Sequence, residues 1–281
     1  MKLLSNLFKK NKQETKQKSE VKSTTSQNKH NEKVAARKGE IGEYKIDIQL
    51  AQLPKEYRHL TDIMIKNVKA KSGYSQIDHI VITPYGIFVI ETKNYQGTIY
   101  GGKERKTWSV NGKFKMMNPF IQNYGHIQAI KNQIGEKYHN QFISMVSFTK
   151  RCTFKIDDLD FKKIGSNEII VYDVELSDYI HRKVSVLKIL NKEPILNEHD
   201  IDYIYKAIVE ANIIDHSIRE QHVQSLKLEK GKLEEKTLVQ NQQAKCCMCN
   251  KPVSEKVQSF CLSNKKYGGK IYCFEHQKSI G

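Results

Sequence analysis

The segment from Gln76 to Lys93 constrains the fold of this chain of 281 residues more than any other segment does. It predicts two apolar strands joined by a Thr-Pro-Tyr-Gly turn at residues 83–86. Strands this apolar are normally buried, and a buried carboxylate is costly unless it is paired or bound to a metal ion. Packing alone would favour valine or isoleucine where the chain has Asp78, Glu91 and Lys93, so the pattern indicates a functional site.

The turn predicts how the two strands pair. If they fold back symmetrically about residues 84–85, Asp78 lies opposite Glu91 with the Cβ atoms roughly 5 Å apart. Lys93, two residues beyond Glu91, then shares their face of the sheet. Two opposed carboxylates repel each other, and a divalent cation between them would explain the pair. A three-residue loop with a bulge is the alternative, and it would pair Asp78 with Thr92.

Two carboxylates and a lysine form a set that suits phosphodiester hydrolysis. The carboxylate oxygens can hold Mg²⁺ or Mn²⁺, which makes a bound water more acidic and neutralises charge on the phosphate. The lysine can orient that water or stabilise the charge of the transition state. We therefore predict that Asp78 and Glu91 bind metal and that Lys93 is catalytic.

The string from Asp78 to Lys93 resembles the PD-(D/E)xK nuclease signature, and residues 38 to 150 resemble the nuclease-related domain (NERD) family within that superfamily. The matching residues occur in one order: Gly39-Glu40-Ile41-Gly42-Glu43, Gln76-Ile77-Asp78-His79, Gly86-Ile87-Phe88-Val89-Ile90-Glu91-Thr92-Lys93-Asn94, Gly97, Trp108 and Asn118-Pro119-x2-Gln122. The resemblance implies a restriction-endonuclease-like α/β fold, a mixed sheet flanked by helices. It also implies a metal-dependent nuclease that acts on DNA, in DNA processing or defence.

The resemblance implies one more acid, on the first helix. Apolar spacing and Pro54 predict that this helix covers residues 37–53. Glu40 and Glu43 are three residues apart and share a face of it. Glu43 is the preferred catalytic carboxylate, and Glu40 is the alternative. Either residue could instead be a solvated acid that the helix dipole favours.

A second helix is predicted to begin at Asn118-Pro119, a residue that caps helices followed by proline in the first turn. Its apolar residues predict a helix as far as about Tyr138. The predicted buried side consists of Phe120, Ile121, Tyr124, Ile127, Ile130 and Ile134. The resemblance places Gln122 near the active centre as a contact to phosphate or water. His126 projects on the same side as Gln122, and we interpret it as a partly buried core histidine.

The formal net charge of +16 predicts a polyanionic partner such as nucleic acid, and the resemblance implies that this is DNA. Half of this excess lies in the first 38 residues, and residues 1–36 are predicted to form a basic disordered arm. No apolar run reaches the roughly 18 residues that a membrane-spanning helix needs. A cytoplasmic protein without a transmembrane segment is expected.

The rest of the chain divides by composition. We predict a nuclease core at 37–150, an extension of the α/β domain at 151–214, a polar helical linker at 215–243 and a zinc-binding module at 244–281. Further elements are predicted as strands at Ile143–Phe148 and Glu168–Val174 and helices at Asp178–Leu190 and Glu198–Ala211.

Five of the six cysteines lie near the C-terminus, and the sixth, Cys152, is predicted to be a core residue. Two chelating pairs, Cys246-x2-Cys249 and Cys273-x2-His276, predict a tetrahedral Zn²⁺ site. Cys247 and Cys261 are alternative ligands, and free reduced cysteines are the alternative to a metal site.

A module of this size has too little core to fold alone, so a metal ion would stabilise it directly. It could contact nucleic acid or a protein partner. The alternative function for the whole chain is a non-catalytic nucleic-acid-binding or adaptor protein that uses the nuclease fold as a scaffold.

Overall fold

The computed structural model describes residues 37, 41–156, 159–240 and 244–279, and the predicted arm at 1–36 and Glu40 lie outside the described residues. The chain forms two compact units, one up to Asp215 and one from His216 onward. The first unit is a mixed α/β structure in which helices flank the sheets, so the predicted fold class is confirmed. No described helix has both the length and the apolar character needed to cross a bilayer.

The strands, in chain order, are β1 (Arg58–Lys66), β2 (Tyr74–Thr83), β3 (Gly86–Lys93), β4 (Gly97–Gly101), β5 (Thr107–Val110), β6 (Phe114–Met117), β7 (Phe142–Phe148), β8 (Cys152–Ile156) and β9 (Glu168–Tyr172). The helices are α1 (41–50), α2 (Pro119–Lys131), α3 (Leu176–Leu190), α4 (Glu198–Ala211), α5 (His216–Gln240), α6 (Glu255–Ser263) and α7 (Phe274–Lys278). One sheet has the order β1-β2-β3-β7-β9, and the other has the order β6-β5-β4-β8.

The predicted hairpin is β2 and β3, and its symmetric register is confirmed. Thr83 pairs with Gly86, Ile80 with Val89 and His79 with Ile90. The bulged alternative is therefore wrong. Continued by one residue, the register brings Asp78 opposite Glu91, directly beyond the end of the ladder.

Both faces of the large sheet are covered, which explains why β3 is apolar along most of its length. On one face, α1 packs Ile46 against Phe88 of β3. On the other face, α2 packs Ile130 near Val89. Because side chains alternate along a strand, Glu91 and Lys93 belong to the face that α2 covers.

The small sheet packs one face around Trp108, whose indole N–H donates to the Gly102 carbonyl at 3.0 Å. Gly101 must lack a side chain, because a Cβ there would come within 2.3 Å of the Trp108 ring. The outer strands of this sheet, β6 and β8, were not among the predicted elements.

Helix α2 differs from the prediction in two ways. It ends at Lys131 with Asn132 as its cap, because Gly135 is extended and residues 136–138 form a separate 3₁₀ turn. The prediction that Ile121 and Tyr124 are buried is also wrong, since they are 44% and 64% exposed. The polar residues Asn123 and His126 occupy the buried face instead, together with Phe120, Ile127 and Ile130.

Other boundaries are close to the predictions. Helix α4 has the predicted bounds, and α3 begins two residues earlier than predicted, at Leu176. Helix α1 is described over 41–50, shorter than the predicted 37–53, and a turn follows at 51–52. Strand β9 ends at Tyr172, two residues before the predicted end, because Asp173–Glu175 turns into a 3₁₀ helix.

Asp200 joins the start of α4 to the turn before β7. Its carboxylate accepts from Lys137 Nζ at 2.9 Å and Tyr138 Oη at 2.7 Å, and it forms a capping box with Asn197. The hydrogen bonds from Lys137 and then Tyr138 lower the pKa of Asp200 to about 2. This carboxylate therefore stabilises the fold mainly in its ionised form.

We expect Asp200→Asn to lower the free energy of unfolding by about 1–2 kcal/mol at pH 7, because it weakens one half of the capping box and removes a charged acceptor. The folded pKa lies below the unfolded value of about 3.9, so the stabilisation is complete above that value and is lost as the pH falls towards 2. Urea unfolding at pH 7 and pH 3 should therefore show a smaller cost at pH 3. Asp178→Asn, in the first turn of α3 and exposed, is the control. An equal cost of Asp200→Asn at both pH values would contradict the prediction.

Candidate active site

Glu91 and Lys93 lie at the end of β3, where the strand leaves the core. The Glu91 side chain is 3% exposed and the Lys93 side chain is 15% exposed. The Lys93 ammonium donates to Oε1 of Glu91 and, at 3.0 Å, to Oε1 of Gln122. The structure thus brings together three of the predicted site residues.

Gln122 reaches this pair from α2 and donates through Nε2 to Glu91 Oε1 at 2.8 Å. The helix is fixed at two points. Asn118 caps it and donates to the Arg105 carbonyl at 2.9 Å. Asn123, which is fully buried, donates to the Val89 carbonyl at 2.8 Å and so ties α2 to β3 itself. The position of Gln122 is therefore set by backbone contacts on either side of it.

His126 lies one turn further along α2, and its Nδ1 is 3.4 Å from Oε2 of Glu91. It is 6% exposed, as a core histidine would be, but it faces the site. The sequence interpretation missed this contact and that of Asn123. The four-residue spacing from Gln122 was the signal for His126, and a polar residue on the apolar side of the helix was the signal for Asn123.

Asp78 is held at the strand end by two hydrogen bonds from Thr92, although the register places Asp78 opposite Glu91. Its Oδ2 accepts from the Thr92 backbone N at 2.6 Å and from the Thr92 hydroxyl at 2.7 Å. Burial raises the pKa of Asp78 to about 6, and the negative charge of Glu91 adds to this effect. A carboxylate in such surroundings gains from a nearby cation.

Burial also raises the pKa of Glu91, although Lys93 and Gln122 oppose the change. Burial alone would lower the pKa of Lys93, but the adjacent Glu91 carboxylate outweighs it, so that pKa is raised. The lysine therefore stays charged beside the two acids.

Glu43 lies on α1, which covers the opposite face of the sheet, and it is exposed. It lines a cleft of about 340 Å³ together with Lys93, Thr92 and Arg151. Its charge contributes to the raised pKa of Glu91, so it lies near the acids across the end of the strand. The alternative acid, Glu40, is outside the described residues.

The two acids fit a divalent metal ion in one respect. Oε2 of Glu91 is buried and, although His126 Nδ1 lies 3.4 Å away, it makes no hydrogen bond within the part of the chain that is described. Asp78, Glu91 and Glu43 do not form a compact three-ligand group among the described residues, where such a group occurs only in the C-terminal unit. An ion here would thus take two carboxylates and complete its shell with water or substrate, as Mg²⁺ often does.

The C-terminal unit gathers Cys246, Cys249, Cys273 and His276, whose ligand atoms all lie within 4.8 Å of one another. The Sγ atoms of Cys249 and Cys273 are 3.7 Å apart, and Cys246 Sγ is 3.5 Å from His276 Nδ1. A tetrahedral ion with bonds of about 2.3 Å to sulfur and about 2.0 Å to nitrogen needs ligand separations of roughly 3.5–3.8 Å. The group can therefore hold a metal ion such as zinc.

The backbone around the first pair forms a tight turn. Lys245 and Pro252 form an isolated antiparallel β-bridge, and Cys246 N donates to the Lys251 carbonyl at 2.9 Å. Asn250 takes a left-handed φ of 61°. Burial would raise the pKa of Cys246, but backbone hydrogen bonds, those of Cys273 and Met248 foremost, lower it to about 6. A thiolate is the form that binds metal.

The second pair follows Gly268 and Gly269, which take positive φ angles of 56° and 73°. The two alternative ligands lie outside the group. Cys247 is exposed, and buried Cys261 accepts from Gln277 Nε2 at 3.2 Å.

This chain is similar to known sequences. The family model described as nuclease-related domain matches residues 38–149. An uncharacterised protein of Bacillus anthracis is 34% identical over 196 residues, which cover 67% of this chain and 84% of that protein. No solved structure matches the chain at a significant level.

Proposed function

Because this chain belongs to the nuclease-related domain (NERD) family, we propose that it is a metal-dependent nuclease that hydrolyses phosphodiester bonds in DNA. The observation that supports this most is the buried contact of Glu91 with Lys93 and Gln122, with Asp78 opposite in the strand register. Four polar side chains gathered at one buried strand end favour a functional site.

Asp78 and Glu91 would hold Mg²⁺ or Mn²⁺. A bound ion supplies a more acidic water and neutralises charge on the phosphate. Lys93 would orient the attacking water or stabilise the negative charge that develops on the phosphate, since its charge is retained in the site. Glu43, exposed at the cleft, would act through water rather than as a direct ligand.

Gln122 and His126 would be positioning residues for Glu91. Gln122 contacts one carboxylate oxygen, and His126 faces the other. Together they would fix the orientation of the Glu91 carboxylate towards a metal ion, as residues that contact a metal ligand commonly do.

We therefore expect His126→Ala to weaken Mn²⁺ binding by about 10- to 100-fold, the usual effect of losing such a partner. Isothermal titration of the full zinc-loaded chain measures this without cleavage. His79→Ala is the matched control, because His79 is also buried but, next to Asp78 on the strand, points to the opposite face. Equal losses in both variants would show that His126 has only a packing role.

The test of the proposed activity is cleavage of plasmid and single-stranded DNA with Mg²⁺ or Mn²⁺ by wild type and Asp78→Asn. We expect cleavage by wild type alone. Equal cleavage by both would assign the activity to a contaminant. Salt-sensitive DNA binding without metal binding or cleavage would favour the non-catalytic adaptor.

For the C-terminal group we propose structural Zn²⁺, because three sulfur ligands and one imidazole suit zinc and leave no open position for catalysis. A reducing compartment keeps such cysteines as thiols, and a cytoplasmic location stays a prediction from the sequence. We also propose that this unit contacts nucleic acid or a protein partner.

A further inference from the structure

The small sheet has one buried face and one open face. Ile99, Trp108 and Met116 point into the core. The residues between them alternate to the other side, where Lys115 and Lys155 are exposed. The large sheet, by contrast, is covered on both faces.

One row of side chains crosses this open face on all four strands. Tyr100 pairs with Lys155 of β8 on one side and with Ser109 of β5 on the other, and Ser109 pairs with Lys115 of β6. Neighbouring strands are about 4.8 Å apart, so the backbones of the two lysines at the ends of the row, Lys115 and Lys155, are roughly 14 Å apart. The Lys155 ammonium lies 5.8 Å from the centre of the Tyr100 ring.

Positive charge is concentrated on this sheet. Residues 97–117 and 152–156 contain six Lys or Arg and one acid, Glu104, for a net charge of +5. Residues 39–281 together carry +8, so about a tenth of that span holds more than half of its excess charge. A concentration of one sign on one small surface favours an anionic partner.

The sheet is also joined to the site of Lys93. Strand β4 begins four residues after Lys93. The Trp108 ring contacts Phe120 of α2 with ring centres 6.1 Å apart, and Gln122 follows two residues later. A nucleic-acid strand bound on this sheet would therefore lie on elements that are joined to β3 and α2, which carry the candidate catalytic groups.

We propose that the open face of the small sheet binds a single-stranded segment of nucleic acid, with one base stacked on Tyr100 and phosphates beside Lys115 and Lys155. The inference rests on the proposed nuclease function, for which it defines a substrate-binding surface. An aromatic ring flanked by cations on a flat surface suits unpaired bases, because every base offers a face for stacking while the backbone meets the charges.

The test uses the full chain carrying Asp78→Asn, so that DNA is not cut, and a fluorescein-labelled 20-nucleotide single strand. Anisotropy titrations at several salt concentrations give the affinity and its salt dependence. Lys115→Ala/Lys155→Ala is expected to reduce the affinity about tenfold and the slope of log K against log salt by about 1.4, or about 0.7 for each lost phosphate contact. Tyr100→Leu is expected to reduce it about fivefold or more without changing the slope.

The matched control is Lys188→Ala/Lys206→Ala, which removes the same charge from exposed positions on α3 and α4. We expect less than a twofold change for this pair. If both lysine pairs lose the same affinity for single-stranded DNA, the effect comes from overall charge and the proposal is overturned. If Tyr100→Leu keeps the wild-type affinity, or loses as much affinity for a duplex of the same length as for the single strand, then no base stacks on Tyr100.

Cleavage by the chain with native Asp78 is measured separately, so the two proposals can fail independently. Cleavage without any effect of the sheet variants on binding overturns the binding surface alone. Loss of binding in those variants, in a chain that never cleaves DNA, supports the surface and overturns the nuclease.

Discussion

Lys93→Ala is expected to lower the rate of DNA cleavage by about 100- to 1000-fold while leaving Mn²⁺ affinity within a few-fold of wild type. The ammonium is largely buried and remains charged, so it acts where water screens charge poorly. Its loss removes stabilisation of the transition state. The carboxylates that would bind the metal ion stay in place.

Asp78→Asn gives the contrasting result in the same assays. It replaces a proposed metal ligand, so both Mn²⁺ binding and cleavage should be lost. The comparison of Lys93→Ala with Asp78→Asn thus separates a group that acts on the phosphate or water from one that holds the ion. Titration calorimetry and single-turnover cleavage at saturating Mn²⁺ supply the two measurements.

Lys183→Met is the control for removing a buried lysine. Lys183 lies on α3, is 1% exposed and donates to the carbonyls of Ile164, Gly165 and Ser166. Its loss should lower thermal stability but leave the cleavage rate per folded molecule near the wild-type value. If Lys93→Ala cleaves DNA as fast as Lys183→Met does, Lys93 has no catalytic role.

The hairpin could be predicted from sequence because its determinants are local. The turn at residues 83–86 and the alternation of apolar residues set the register, and a shift of one residue would turn the Glu91 side of β3 to the opposite face. The register then gives the shared face of Asp78, Glu91 and Lys93. None of these steps needs a contact from distant parts of the chain.

The rest of the site depends on tertiary packing. The buried face of α2 includes Asn123 and His126, which a search for apolar periodicity passes over. Strand β8 pairs with β4 across 55 residues, and nothing in five residues of sequence indicates that partner. The position of Glu43 on the face opposite Glu91 likewise follows from how α1 crosses the sheet, which the helical pattern alone does not specify.

Zinc removal should unfold the segment from residue 244 to residue 279 while the first unit stays folded. The apolar core of this segment is small. Val253 is its one buried aliphatic side chain, and its other buried residues are Tyr267 and three cysteines, of which Cys246 and Cys273 are predicted ligands. Metal binding in zinc-finger peptides supplies about 10–16 kcal/mol of apparent free energy, far more than such a core can. The fold of the segment should therefore depend on the ion.

Hydrogen exchange measured by mass spectrometry reports each unit separately. After treatment with a zinc chelator, peptides from 244–279 should lose protection, whereas peptides from the large sheet should keep it. The single tryptophan, Trp108, lies in the first unit, so its fluorescence should not change and provides an internal control. Protection that survives the chelator would contradict a structural metal ion.

Single substitutions then assign the ligands. Cys246→Ser should abolish the binding of about one zinc ion per chain, because oxygen replaces a thiolate in a closed four-ligand shell. Cys247→Ser, at the exposed neighbouring position, and Cys261→Ser, at a buried position outside the group, are the matched controls and should retain zinc. Because Cys261 is as buried as Cys246, this comparison distinguishes loss of a ligand from loss of packing. Zinc content that falls equally in Cys246→Ser and Cys261→Ser would show that the four side chains do not form the site.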